Sequence, residues 1–286
     1  MKIRILGEAD AADLERFLER HADSSMFLRS NAELAGVVDR GLPFQGTYAA
    51  AYRDGRMVGA VAHYWQGNIV VQAPEATNTL VQAAAEASKR EVAGIIGPEL
   101  QVQEARVALG MSSRSTQLDS ADGLYAVDLA NLVHPDILDS EGIGWTPISR
   151  DDADPVINWF YVYHVELLGS PEGRETRAEA KRRFEGACEQ QVGYVLRRGH
   201  DREPISYSGF NAQLSRMVQI GGVYTPPHAR GRGYARGAVA ASLEHVKTRG
   251  VTRAILFTGD ENRAAIAAYR ALGFERMGDF RLLLFA

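Results

Sequence analysis

Gly221–Gly237 reads GGVYTPPHARGRGYARG and lies between an apolar stretch, Arg216–Ile220, and an amphipathic one that runs on to Arg249. Apolar residues ending in Tyr224-Thr225-Pro226-Pro227 predict a strand over Arg216–Tyr224, then a turn, then a helix over Gly233–Arg249. Gly231, Gly233 and Gly237 fall in one short arc, where missing Cβ atoms let a backbone approach a ligand closely. At a helix start the first N–H groups lack partners and the helix dipole presents its positive end. Arg230, Arg232 and Arg236 add cations. The stretch therefore reads as a phosphate or pyrophosphate site, against the plainer alternative of a tight turn carrying solvated arginines. No Gly-Lys-Ser/Thr closes it, so it is not a P-loop, and it lacks the GxGxxG of a dinucleotide fold.

Within that loop Arg230-Gly231-Arg232-Gly233-Tyr234-Ala235 fits Arg/Gln-x-x-Gly-x-Gly/Ala. Further on, Asn262-Arg263-Ala264-Ala265-Ile266-Ala267-Ala268-Tyr269 precedes Leu272-Gly273-Phe274. Seven residues turn a helix through about 700° and advance it about 10 Å, so Asn262 and Tyr269 share one helical face. Together the two elements resemble the GNAT acetyltransferase superfamily in order and spacing, over about residues 145–286. The resemblance implies acetyl-CoA as cosubstrate. It implies a pyrophosphate held by Arg230, Gly231, Arg232, Gly233, Tyr234, Ala235 and Arg236, and a pantetheine arm along Val223, Tyr224 and Thr225. Asn262 then holds the amide arm, and Tyr269 is the catalytic acid for the departing thiolate. Gly221-Gly222 within an apolar strand suggests a bulge or a close backbone approach, as in the kinked, splayed strand of that family.

Outward from the loop, 286 residues suggest about two domains at roughly 150 each. The chain is 45% hydrophobic and 24% charged, which is ordinary for a globular protein and excludes disorder or a fibrous repeat. A single cysteine, Cys188, rules out an internal disulfide, and none of the seven histidines forms a ligand pair, so no metal is expected. Residues 1–140 carry 12 Lys and Arg against 19 Asp and Glu; residues 141–286 carry 20 against 17. An acidic half and a mildly basic half argue against sequence-independent nucleic-acid binding and permit a local anion site. No uncharged apolar run reaches the ~18 residues of a membrane span. Glu8 and Asp10 come too early for a signal peptide, so a cytoplasmic protein is expected.

The same order of strand, helix, hairpin, then alternating helix and strand is read twice, which predicts a mixed α/β sheet flanked by helices in each half. The expected division is 1–130, a linker over 131–144, and 145–286. The first half lacks the loop. After its strand Asn68–Gln72 comes Ala73-Pro74-Glu75-Ala76, with no arginine and a carboxylate that would repel a pyrophosphate. The resemblance thus implies tandem GNAT copies, the first one degenerate.

By the same resemblance, a primary amine of a small molecule or peptide attacks the thioester directly. Backbone N–H near Val223 supports the oxyanion. Arg216–Tyr224 holds no carboxylate to serve as base; Gln219 is its nearest polar residue, and His164 and Glu166 are candidates on the preceding helix. The aromatic run Trp159, Phe160, Tyr161 and Tyr163 lines either a pocket or the core. Two other readings remain open: a non-catalytic acyl-CoA-binding or sensing module, and an aminoacyl transferase of the tandem kind, against which the intact loop and the acidic first half count. Acceptor and oligomeric state are not legible.

Overall fold

The computed structural model describes residues 1–286, apart from the side chains of Leu167 and Leu168. The chain divides into two compact units, Met1–Leu124 with Met277–Ala286, and Tyr125–Arg276.

The first unit contains β1 (Lys2–Ile5), α1 (Ala11–Glu19), α2 (Met26–Ala35), β2 (Gly46–Arg53), β3 (Arg56–Tyr64), β4 (Asn68–Gln72), α3 (Thr77–Ser88), β5 (Gly94–Pro98) and α4 (Glu99–Ala108). In β2 successive side chains alternate between the sheet's two faces. Tyr48, Ala50 and Tyr52 pack with Leu14, Phe17 and Leu18 of α1, while Ala49 and Ala51 pack with Leu80, Val81 and Ala84 of α3. Both faces are covered, so β2 is apolar throughout. The hairpin turn Asp54-Gly55 has positive φ at both residues, 50° and 76°, as a tight two-residue connection requires.

The second unit contains β7 (Ile143–Pro147), α5 (Ala153–Leu168), α6 (Arg174–Glu189), β8 (Gly193–Arg198), β9 (Glu203–Gln213), β10 (Met217–Tyr224), α7 (Tyr234–Lys247), β11 (Arg253–Gly259) and α8 (Arg263–Arg270). Its strand order is β11-β10-β9-β8-β7. Two cores sandwich it. Val218, Ile220 and Leu256 pack with Val239, Ala240 and Leu243 of α7. On the other face Val195, Tyr207 and Tyr224 pack with Val156, Trp159 and Phe160 of α5 and Phe184 of α6. Trp159 and Phe160 are therefore core residues, not pocket walls.

Two strands depart from the expected division. β6 (Thr116–Asp128) contributes Thr116–Leu124 to the first unit and Tyr125–Asp128 to the second; β12 (Glu275–Phe285) belongs to the first from Met277 onward. Phe280–Leu284 of β12 pairs antiparallel with Gly94–Pro98 of β5, and Leu283 and Phe285 enter the core beneath α3. Periodicity tells which side chains are buried, not which neighbour a strand joins, so this placement is invisible in the sequence. The segment 131–144 is not a free linker either. It belongs to the second unit, where Ile137 packs against Gly237 of α7 and the Val133 N–H donates to the Leu272 carbonyl at 3.1 Å.

Candidate active site

The site begins where two parallel strands part. β10 and β11 pair over Met217–Gln219 and Arg253–Ile255, after which β10 continues to Tyr224 and β11 to Gly259 without further pairing between them. Along this fork the edge of β10 from Ile220 to Tyr224 has no ladder partner on the β11 side. Gln219 sits on the last pair; it is buried, and its Oε1 atom has no hydrogen-bond partner.

Two register shifts shape β10 on its other edge, where it pairs with β9. Gln219 and Ile220 face Ala212 and Phe210, so Asn211 is an extra residue on β9; between Gly221 and Tyr224 the extra residue is on β10. The glycine pair expected to mark a bulge does so. A Cβ on Gly221 would collide with the Asn211 amide, and Gly222 has φ +72° with an Arg183 Nη2 2.6 Å from where its Cβ would stand. What approaches this backbone so closely is therefore the protein's own polar pair. Arg183 Nη2 donates to Asn211 Oδ1 at 3.2 Å.

Beyond β10 the loop is braced from within. The Ser206 and Thr225 hydroxyls lie 2.8 Å apart, and Arg230 Nε donates to the Thr225 carbonyl at 3.0 Å with its guanidinium 5.8 Å from the Tyr224 ring centre. Arg230 thus supports the loop. Tyr224 and Tyr234 are buried, so their side chains belong to the core and only their main chain can meet a ligand. Gly231 and Gly233 have φ +76° and +80°, conformations that L side chains avoid. Gly233 begins α7 with no side-chain cap. The N–H groups from Gly231 to Arg236 have no acceptor among the described residues, the first helical bond being Gly237 N–H to the Gly233 carbonyl at 2.9 Å. Arg232 is exposed; Ala235 and Arg236 are half-buried, and the Arg236 Nε is buried without a partner. Six unsatisfied donors and an orphaned guanidinium nitrogen around an open turn fit a diphosphate. Gly237 has a different reason to be glycine, since a Cβ there would meet Ile137 at 2.9 Å.

On α8 the two expected residues take different parts. Asn262 caps the helix, its Oδ1 accepting from the Ala265 N–H at 3.2 Å. Tyr269, near the other end, packs beside Phe274 with ring centres 5.8 Å apart. Burial raises the Tyr269 phenol above its ordinary value, and Tyr163 of α5 adds to the rise. The hydroxyl therefore keeps its proton at every working pH, and it is a weaker acid than an exposed phenol.

On the α5–α6 side the Arg183 guanidinium lies over Phe160 and Tyr163, 5.1 and 5.5 Å from their ring centres. The His164 Nε2 is buried without a partner; burial, then the Arg183 charge, lowers that imidazole's affinity for a proton. Glu166 is exposed, close enough to Tyr224 to raise its phenol. Arg183 and Asn211 were missed by sequence reasoning, and the Gly221-Gly222 pair was the one trace they left.

The first unit closes the equivalent positions with its own atoms. β4 and β5 pair over Asn68–Val70 and Gly94–Ile96, yet Gly97 stays so close that a Cβ would lie 2.6 Å from the Val71 carbonyl oxygen. The Ala73 N–H is taken by Gln101 Oε1 at 2.6 Å, and Glu75, paired with Arg53 at 2.5 Å, stands before α3.

Comparison with known proteins bears on the same stretch of chain. Residues 155–274 match the Acetyltransferase (GNAT) family. A mycothiol acetyltransferase from a Nocardioides species is 40% identical over 91 residues, 32% of this chain and 30% of that one. The chain spans less than half the length of the curated relatives it matches. A GNAT-family acetyltransferase from Colwellia psychrerythraea shares the fold over 100% of both chains at a TM-score of 0.55 and 16% identity. A tandem GNAT protein from the clavulanic acid biosynthesis pathway does so over 100% of this chain and 98% of its own, at 0.52 and 16%. Residues 155–274, which include the fork, the loop and α8, are a GNAT acetyltransferase domain.

Proposed function

We propose that the protein is an N-acetyltransferase that moves an acetyl group from acetyl-CoA to a primary amine of a small molecule or peptide. The observation that carries this reading is the run of unpaired N–H groups from Gly231 to Arg236 at the end of a strand that has parted from its neighbour. The mycothiol acetyltransferase relatives support acetyl transfer as the reaction class.

Acetyl-CoA supplies an activated thioester carbonyl. The loop N–H groups and Arg236 hold its diphosphate, and the unpaired edge of Ile220–Tyr224 orients its arm, so carbonyl and amine meet without a collisional search. The N–H of Val223 faces the developing oxyanion. Tyr269 keeps a hydroxyl proton directed at the sulfur. The balance is neutral, because the amine loses one proton as the sulfur gains one. The raised phenol therefore acts as a hydrogen-bond donor whose proton is replaced from the nitrogen. His164, whose proton affinity burial lowers, is the candidate to take that proton from the nitrogen and pass it on to the phenol oxygen.

A binding-only role has one observation in its favour: β10 carries no carboxylate, and Gln219 accepts no proton. One experiment separates the two. Amines and amino acids are screened against acetyl-CoA with free thiol as readout, alongside calorimetry of acetyl-CoA binding. Turnover of any amine establishes transfer, tight binding without turnover supports the binding module, and no binding overturns both.

A further inference from the structure

We infer that Arg183 and Asn211 form the acceptor-recognition pair, and that the acceptor amine carries a carboxylate close to its nitrogen, as a free amino acid does. The inference rests on the acetyl-transfer reading and specifies its substrate class.

Position comes first. Arg183 lies against Gly222, one residue before Val223, whose N–H is assigned to the oxyanion. Tyr163, over whose ring it lies, adds after burial to the rise of the phenol of Tyr269, the residue assigned to the sulfur. A group bound at Arg183 is thus held beside the strand end assigned to the thioester carbonyl. Chemistry comes second. Among the described residues Arg183 has no carboxylate partner, and its hydrogen bond goes to the neutral amide oxygen of Asn211. Glu179, one turn earlier on α6, is paired with Arg182, and Glu166 is exposed near Tyr224. His164 stays neutral beside it, so the cluster bears one uncompensated positive charge. Phe160 and Tyr163 hold the guanidinium from one side, 5.1 and 5.5 Å from their ring centres, and a guanidinium suits two-pronged binding of a carboxylate. The Asn211 amide nitrogen, folded onto Gly221, adds a neutral donor. Finally, two bulges and two adjacent glycines bring this pair onto the β10 backbone. In an α-amino acid the nitrogen is two bonds from the carboxylate carbon, so a carboxylate on Arg183 leaves the amine beside Val223.

The test uses the full chain loaded with CoA and a panel of amino acids, each paired with its carboxamide, which keeps the amine and side chain and loses the charge. Affinity is measured by calorimetry on the CoA-loaded chain, and turnover by thiol release with acetyl-CoA in its place. At least one acid is expected to bind, with its carboxamide about 10- to 100-fold weaker, the range expected for a hydrogen-bonded charge pair. Arg183→Met keeps an apolar stem over the rings and should abolish that preference with acetyl-CoA affinity unchanged; Arg183→Lys should retain part of it. Equal binding of acid and amide, a preference that survives in the Met variant, binding of no acid, or loss of acetyl-CoA affinity in the Met variant each overturns the inference. Turnover of neutral amines alone removes Arg183 from its role and leaves acetyl transfer standing. Discriminating binding without turnover does the reverse.

Discussion

Gly233→Ala separates ligand recognition from backbone strain. Gly233 stands at φ +80° and ψ 1°, and the nearest atom to an added Cβ is an Arg236 Nη2 at 3.6 Å. The methyl group therefore meets no wall. Its cost to the fold is that of a left-handed L residue, about 1–2 kcal/mol, and for a unit of this size that lowers the thermal midpoint by about 2–8 °C. Its cost to binding is separate, because the Cβ occupies the open turn that the diphosphate must enter. Losing hydrogen bonds to a charged group removes about 1.5–3 kcal/mol, or about 10- to 10²-fold in acetyl-CoA affinity. Gly250→Ala is the matched control. Gly250 has φ +95°, open space around it, and a place just beyond the opposite end of the same helix. It should show a comparable fall in midpoint and no change in affinity. Calorimetry and melting of both variants decide the matter: a Gly233→Ala protein with the lowered midpoint and wild-type affinity would refute the loop as the diphosphate site.

Titration with CoA is expected to give one site per chain, since Gln101 and Val71 fill the first unit's counterpart; a stoichiometry of two would contradict this. Tyr269→Phe should lower kcat about 10²-fold with the KM for acetyl-CoA little changed, and a variant with wild-type kcat would remove the hydroxyl from the chemistry. Stability should fall between pH 7 and 5. Burial lowers the proton affinity of His21, His63, His164 and His245 from the ordinary 6.5, so the unfolded chain takes up protons that the fold resists. His134, raised chiefly by its bond to Glu244, works the other way, its contribution being present below 6.5 and lost as pH rises through its folded value. A midpoint flat or rising toward pH 5 would show that the four do not dominate. Further down, Arg90 holds Asp39 at about 2 against an ordinary 3.8, so that pair's contribution is lost as pH falls from about 4 to 2.

Much of the fold was legible because it rests on local chemistry. The Asp54-Gly55 turn and the apolar stripe of α1 at Leu14, Phe17 and Leu18 each specify their element without help from elsewhere. α2 escaped because MFLRSNAELA opens on three adjacent large apolar residues, of which Met26 and Leu28 are buried, and has no capping side chain. The destinations of β6 and β12 escaped for a deeper reason. Both carry the apolar residues of a closing strand, and nothing in a strand's own sequence states which half of the chain it closes.

The candidate site divides along the same line. Gly231, Gly233 and Arg236 are readable because positive φ, open backbone and unpaired donors follow from residue type and from the start of a helix. Gly237 misled for that reason: the same residue type answered to Ile137, a packing partner 100 residues earlier in the chain. Arg183 and Asn211 are the harder case. Neither belongs to a motif, and each becomes informative when register is known, since it is the extra residue on β9 that turns Asn211 onto Gly221 and the positive φ of Gly222 that admits the guanidinium. Binding of a shared cosubstrate is written in residues that any loop of this kind must contain. Recognition of the acceptor is written in how two neighbouring strands slip past each other, and single-residue slips leave in the sequence little more than a pair of glycines.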